Sequence, residues 1–307
     1  MKKPILVTGS HRSGTTWTGK MLCAGGGAFY IHEPFNNVRP AGPMWVPKPF
    51  PFWFYAMSDE DVTYDRLLGN VVGMRYPLGP ALARIRKPAH LGRAGRDWAL
   101  SLIARARGMR PLLKDPIALF STEWLAARFR MTVVVLIRNP MAFAASLKRL
   151  NWWFKFSHWL RQPRLMKGIL AEYAEPIRQY TAGKKDLIDQ SILMWNCMYT
   201  AVARYRNAHP EWAFVRHEDL ASHPLEGFRS LYRHCRLEWT PRAETAIRKY
   251  SQRPDAEPLS ADRPTDIRRE SRKTVSLWKR ILSPDEVERI RNGTRDVARL
   301  FYDPFES

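Results

Sequence analysis

The sequence predicts an α/β fold, a mostly parallel sheet flanked by helices, and three observations carry that prediction. Short apolar strands alternate with longer helical stretches along the chain. The clearest strand, Thr132 to Ile137, is mostly β-branched and carries no charge, the pattern of a central parallel strand covered on both faces. The first strand runs directly into a glycine-bounded loop and a helix, the arrangement of a phosphate-loop (P-loop-type) sheet.

Taken in order, Ile5 to Val7 reads as the first buried strand. Gly9-Ser10-His11-Arg12-Ser13-Gly14 follows as a polar loop, and Thr15, Thr16 and Trp17 open a helix that stops near Gly25-Gly26-Gly27. Such a turn aims successive backbone N–H groups and the positive end of a helix dipole at one point, so an anion is the expected occupant. Arg12 adds a full charge there. Ala28 to Ile31 is a second strand, ending at His32-Glu33-Pro34. From Phe35 to Met57 prolines forbid regular structure and predict a long loop. Helices are expected over 60–74 and 97–107, with a basic connector between them. Leu112-Leu113-Lys114 is a short strand entering Asp115-Pro116, and Ser121 is placed as the cap of a helix through Phe129. The strand Thr132 to Ile137 ends at Arg138-Asn139-Pro140, where Asn139 can cap the next helix and Pro140 start it. An aromatic and basic cluster occupies 152–160, a long helix 186–208, and a last strand Trp212 to Val215, followed by Arg216-His217-Glu218-Asp219-Leu220 and helices to about 251. Residues 252–274 read as a charged surface loop, and a final helix starts near Pro284.

Composition narrows the chemistry. The 307 residues are enough for a large core, and an apolar share of 45% is that of an ordinary globular protein. Lys plus Arg number 50 against 29 Asp plus Glu, a net charge of +21 that implies an anionic partner without choosing it. The three cysteines lie far apart and the eight histidines show no paired ligand spacing, so no disulfide framework and no metal site is expected. The first strand begins at residue 5, leaving no room for a signal peptide, and no apolar run is long enough to span a bilayer. The expected location is cytoplasmic, at most on a membrane face.

Ligands of parallel sheets sit at the carboxyl ends of the strands. Those ends carry Arg12, Glu33, Lys114, Arg138 and His217. Thr15 follows Gly14 where a nucleotide triphosphatase has Lys, and the strongest strand ends in Arg138 instead of an acidic Mg²⁺ ligand. The loop is therefore a phosphate cradle without the metal-binding partner of ATP hydrolysis.

At these residues the chain resembles sulfotransferases that use 3′-phosphoadenosine 5′-phosphosulfate (PAPS), with the bacterial and tyrosylprotein-type members nearest in pattern. Gly9 to Trp17 is similar to their 5′-phosphosulfate loop, and Arg138-Asn139-Pro140 with Ser146 to their 3′-phosphate element. Lys114-Asp115-Pro116, Val215 to Leu220 with His217 at a Tyr place, and Ser276-Leu277-Trp278 resemble further elements. The resemblance implies a nucleotide-kinase-like sulfotransferase fold as one domain over 1–307, with variable acceptor-side segments around 35–110 and 150–185. It implies that Ser10, His11, Arg12, Ser13, Gly14, Thr15, Thr16 and Trp17 hold the 5′ end of the donor, with Trp17 on the adenine, and that Arg138 and Ser146 hold its 3′-phosphate. His217 joins the same donor-binding set. Cytosolic members carry Lys where Arg12 stands, and an Arg stabilises leaving charge without giving up a proton.

Sulfuryl transfer, like phosphoryl transfer, runs by in-line displacement through positioning and electrostatics. Glu33 is the expected base for the acceptor hydroxyl, with His32 as the second candidate. Arg12, Lys114 and Ser276 are expected to meet charge on the leaving oxygen. The acceptor expected is a carbohydrate or glycolipid. If exposed, the aromatic segments 44–54 and 152–160 would present a glycan platform or a peripheral contact with an anionic membrane. A nucleotide or small-molecule kinase is the alternative, and a nucleic-acid-binding protein a third reading that leaves the clustered charge at the strand ends unexplained.

Overall fold

The computed structural model describes residues 3–36, 44–183, 186–251 and 275–302. Five strands form one sheet: β1 (Ile5–Gly9), β2 (Ala28–His32), β3 (Arg110–Lys114), β4 (Thr132–Ile137) and β5 (Ala213–Arg216). Their order is β2-β3-β1-β4-β5 and every pairing is parallel. The helices up to the last-but-one strand are α1 (Thr15–Cys23), α2 (Val62–Val72), α3 (Leu78–Ala83), α4 (Pro88–Ala106) and α5 (Thr122–Phe129). Between β4 and β5 come α6 (Pro140–Leu150), α7 (Ser157–Leu160), α8 (Pro163–Lys167), α9 (Ala174–Ala182) and α10 (Leu187–Ala208). After β5 follow α11 (His217–Ser222), α12 (Pro224–His234), α13 (Pro241–Ser251) and α14 (Pro284–Ala298).

Alternation along the central strands divides the core. Val133, Val135 and Ile137 of β4 point into one cluster with α2, α5, α6 and α10, while Val134 and Leu136 point into a second with α1, α12 and α13. Both faces are covered, as the uncharged run of β4 requires. The helix starts follow their capping chemistry. Asn139 Oδ1 accepts from the N–H groups of Met141 (2.9 Å) and Ala142 (3.3 Å), with Pro140 at the first helical position. Asp186 caps α10, and Ser283 and Glu286 form a capping box on α14.

Two sequence expectations are corrected, and the aromatic segments, left open between core and surface, find a place. Ser121 stands at the start of α5 but does not cap it. Its Oγ donates to the carbonyl of Tyr55 at 2.5 Å and accepts the N–H of Met57 at 2.9 Å. The ladder-free loop 44–57 needs such partners for its backbone, and Gln162 supplies another at Ala56 N (3.0 Å). The helix expected over 97–107 begins at Pro88, because Pro sets the first turn even though Gly92 and Gly95 weaken the periodic signal. The aromatic segments are largely core: Met44, Trp45, Val46, Phe50 and Phe54 are buried, as are Phe154, Phe156 and Trp159. The region read as a charged loop, 252–274, lies outside the described residues.

Candidate active site

The loop after β1 is shaped by two close approaches. Gly9 has φ 141°, and a Cβ there would lie 2.4 Å from the carbonyl oxygen of Leu136 on β4. Gly14 has φ 90°, and a Cβ would lie 2.3 Å from His217 Nδ1. Only glycine fits both. His217 thus packs on the glycine that closes the loop. Between them Arg12 takes a left-handed conformation, φ 66°, and Ser13 Oγ donates to the carbonyl of Ser10 at 2.5 Å. Thr15 and Thr16 begin α1, whose first N–H groups point to the loop mouth.

A second grip ties this loop to the end of β4. The Tyr199 hydroxyl accepts the backbone N–H of Arg138 at 2.8 Å and is hydrogen-bonded to Ser10 Oγ at 2.8 Å. One turn earlier on α10, Trp195 Nε1 donates to the Arg138 carbonyl at 2.8 Å. Both aromatic side chains are fully buried, so the backbone of Arg138 is clamped from two sides by one helix.

The side chains here form a cationic cluster. Arg12 Nε donates to Ser146 Oγ at 3.1 Å, so Ser146 joins the phosphate loop to α6. Arg149 follows one turn later on the same face of α6. Burial, then Arg149 and Arg138, pull the Arg12 pKa down to about 10, against an opposing pull from Glu33. Arg149 Nε and Nη1 are buried and have no hydrogen-bond partner among the described residues. Arg138 Nε lies 3.6 Å from Glu218, whose Oε1 also accepts the N–H of Asn139. Three guanidinium groups close enough to repel is an arrangement that an incoming polyanion would relieve.

At the other end of the strand edge the charges are already paired. Lys114, buried, donates from Nζ to Glu33 Oε1, and Asn36 donates to Glu33 Oε2 at 2.9 Å. Burial opposes ionisation of Glu33, but the Lys114 ammonium outweighs it and holds the carboxyl below its usual range. Burial likewise lowers the Lys114 pKa, with Glu33 resisting. Burial and then Lys114 push His32 down to about 4, so at neutral pH it is uncharged. Its Nδ1 is hydrogen-bonded to the Tyr30 hydroxyl at 3.1 Å. Beneath the pair, Asp115 accepts the N–H groups of Phe35 (2.7 Å) and Ile117 (2.9 Å), and burial raises its pKa to about 7. It anchors the turn that presents Glu33.

Not every expected residue lies with these two groups. The His11 ring is turned into an aromatic box of Trp152 (ring centres 3.9 Å apart), Phe143 (5.0 Å) and Phe54 (5.9 Å), and burial holds it neutral. What His11 offers an anion at the loop is its backbone N–H. Trp17 is buried edge-on against Phe228 at 5.0 Å, with His217 at 6.0 Å. Ser276 is exposed at the start of the turn Leu277–Arg280, whose neighbours pack on α6. Sequence reasoning missed Tyr199, Trp195 and Arg149 beside the site. The i, i+3 spacing of Arg149 from Ser146 was the available signal; nothing local marks Tyr199. Among the described residues no group of three His, Cys, Asp or Glu side chains is arranged to hold a metal.

A parallel α/β sheet with a glycine-bounded loop and a cationic cluster at its carboxyl edge is suited to binding an anionic ligand. Residues 4–241 match the sulfotransferase family, and the chain belongs to that family and is an enzyme of that class. The sulfotransferase domain from the curacin biosynthetic pathway shares the fold, with a TM-score of 0.51 at 14% identity over 95% of this chain and 97% of that one. Sulfotransferase STF1 from Mycobacterium tuberculosis H37Rv is 17% identical over 96% of this chain and 77% of its own, at a TM-score of 0.40 too low to carry an argument. No curated protein matches the sequence.

Proposed function

We propose that the enzyme transfers a sulfuryl group from PAPS to a hydroxyl of a carbohydrate or glycolipid. The observation that carries the donor assignment is the grouping of Arg12, Arg138 and Arg149, in which burial and then the neighbouring arginines depress the Arg12 pKa while two guanidinium nitrogens of Arg149 stay unpartnered among the described residues. A nucleotide with phosphates at both the 5′ and 3′ positions supplies separated negative charge for such a set. The loop N–H groups from Ser10 to Thr16 take the 5′ side, and Arg138, Ser146 and Arg149 the 3′ side. Trp17 and His217 line the base and ribose side of the loop.

Glu33 takes the acceptor proton as the hydroxyl oxygen bonds to sulfur. The bond from sulfur to the bridging phosphate oxygen breaks, releasing 3′-phosphoadenosine 5′-phosphate (PAP). Arg12, close enough to Glu33 for the two charges to interact, meets the charge on that oxygen. Lys114 keeps Glu33 ionised beforehand, and any turn of its ammonium toward the leaving oxygen frees the carboxylate to become more basic. The neutral His32, fixed by Tyr30, orients the acceptor. The partly exposed rings of Trp53 and Trp152, with centres 6.4 Å apart and Trp152 packed on His11, suit the apolar face of a sugar.

The test is transfer of labelled sulfate from PAPS to a panel of glycans and glycolipids in the presence of EDTA. Turnover is expected without metal, and Glu33→Gln lowers kcat by about 10²–10⁴-fold while PAP binding persists. Unchanged turnover in that variant removes Glu33 as the base. Transfer from ATP that requires Mg²⁺ makes the enzyme a kinase instead.

A further inference from the structure

The helices α3 and α4 are turned the wrong way round for a soluble surface. The side of α4 facing the fold carries Ala94, Asp97, Ser101 and Ala104, all buried. Its large apolar side chains face outward. Leu91, Trp98 and Leu102 are 56%, 43% and 40% exposed and, at i, i+7 and i+11, make one stripe along the helix. On α3, Ala81 packs with Ala94 and Trp45 while Leu78 and Leu82, four residues apart, stay exposed. Seven of the ten exposed large apolar side chains among the described residues fall between 78 and 103. Scattered exposure of such groups is ordinary, but concentration on one helix pair marks an interaction surface.

Charge identifies the partner. Residues 78–107 carry seven Lys or Arg and one acid, Asp97. That acid is held by its neighbour Arg96 through two hydrogen bonds of 2.7 and 3.0 Å. A second copy of the chain meeting this face symmetrically would set cations against cations. The surface fits a partner that is anionic outside and apolar just below, which is a membrane rich in acidic headgroups. Arg and Lys stems lie along apolar surface with their heads at the phosphates, while Leu and Trp enter the acyl boundary.

We propose that the α3–α4 face docks the protein on the surface of an anionic membrane. This places the contact away from segments 44–54 and 152–160, most of whose rings are committed to the core. No described helix is long and apolar enough to cross a membrane, so the docking is peripheral. The inference does not rest on the donor or the acceptor.

Flotation of the full chain with vesicles of phosphatidylcholine, alone or mixed with phosphatidylglycerol, tests it. The parent is expected to float with the mixed vesicles and only weakly with phosphatidylcholine. The triple variant Leu91→Ser, Trp98→Ser, Leu102→Ser should partition about a hundredfold less or weaker still. The exposed pair Lys87→Ser, Arg93→Ser should lose about fivefold for each charge on the mixed vesicles only. Circular dichroism and PAP binding should match the parent in both variants, and a fault in PAP recognition alone would count against the donor site, not against this face. Three outcomes overturn the proposal: no flotation of the parent, undiminished flotation of the triple variant, or a parent dimer in sedimentation that the triple variant converts to monomer.

Discussion

The two ends of the strand edge treat charge in opposite ways. Around Arg12, Arg138 and Arg149 like charges crowd together, burial and then Arg149 and Arg138 lower the Arg12 pKa, and Ser146 and Glu218 lie beside the cluster. Around Lys114, the cation is buried against Glu33 and the carboxylate is held on its other oxygen by Asn36. A crowded set of cations gains by capturing an external anion, so in the proposed function that end binds the donor. A closed ion pair gains nothing from a ligand unless the pair is rearranged, so in the same proposal that end handles a proton through a change of partner.

Separating the pair should have the largest effect. Lys114→Met is expected to lower kcat by about a hundredfold or more, as loss of a transition-state charge contact does. With the ammonium gone, burial is left to raise the Glu33 pKa, so the acid limb of the pH–rate profile moves to higher pH. A limb that stays in place would mean that Lys114 does not set the state of Glu33. At the binding end, Arg149→Ala should weaken PAP about tenfold and flatten the salt dependence of binding, read by calorimetry across ionic strength. Tyr199→Phe strands the buried N–H of Arg138 and parts Ser10 from β4, at a cost of about 1–3 kcal/mol in urea unfolding.

The smallest expected effect is electrostatic and runs through Asp115. Its folded pKa, about 7, lies above the ordinary value of 3.8. The stability this group contributes is therefore complete below that ordinary value and is lost as pH rises through about 7. Asp115→Asn removes that dependence, so the parent urea midpoint minus the variant's should be more positive at acid than at alkaline pH.

How much of this was legible in the sequence differs between the same two regions. The phosphate loop is local: strand, two glycines and a helix start lie within residues 5–17, and each strand-end residue was found from where an apolar run stopped. The Asn139 cap was equally local, whereas Asp186, taken only as the start of a long helix, went unread as a cap. Tyr199 was not, because its partner Ser10 is 189 residues away and an aromatic residue on a buried helix looks like packing. Ser121 misled for a related reason, since its sequence position suits a cap while its hydroxyl serves the loop 44–57, where prolines leave the backbone short of partners. The start of β3 was missed at Arg110 and Pro111, because proline is unusual in a strand flanked on both sides. The outward stripe on α4 was invisible without burial, for a periodicity alone does not say which face is inside.

In the proposed function the crowded arginines read a 3′-phosphate. Calorimetric affinities of PAP and AMP, which differ only at that phosphate, are the closest test of it in the parent and in Arg138→Ala. The parent should prefer PAP over AMP by about a hundredfold, as charge-assisted contacts to one phosphate imply, and Arg138→Ala should lose most of that preference while holding AMP as before. Equal affinity of the parent for the two nucleotides, or an undiminished preference in the variant, would contradict it.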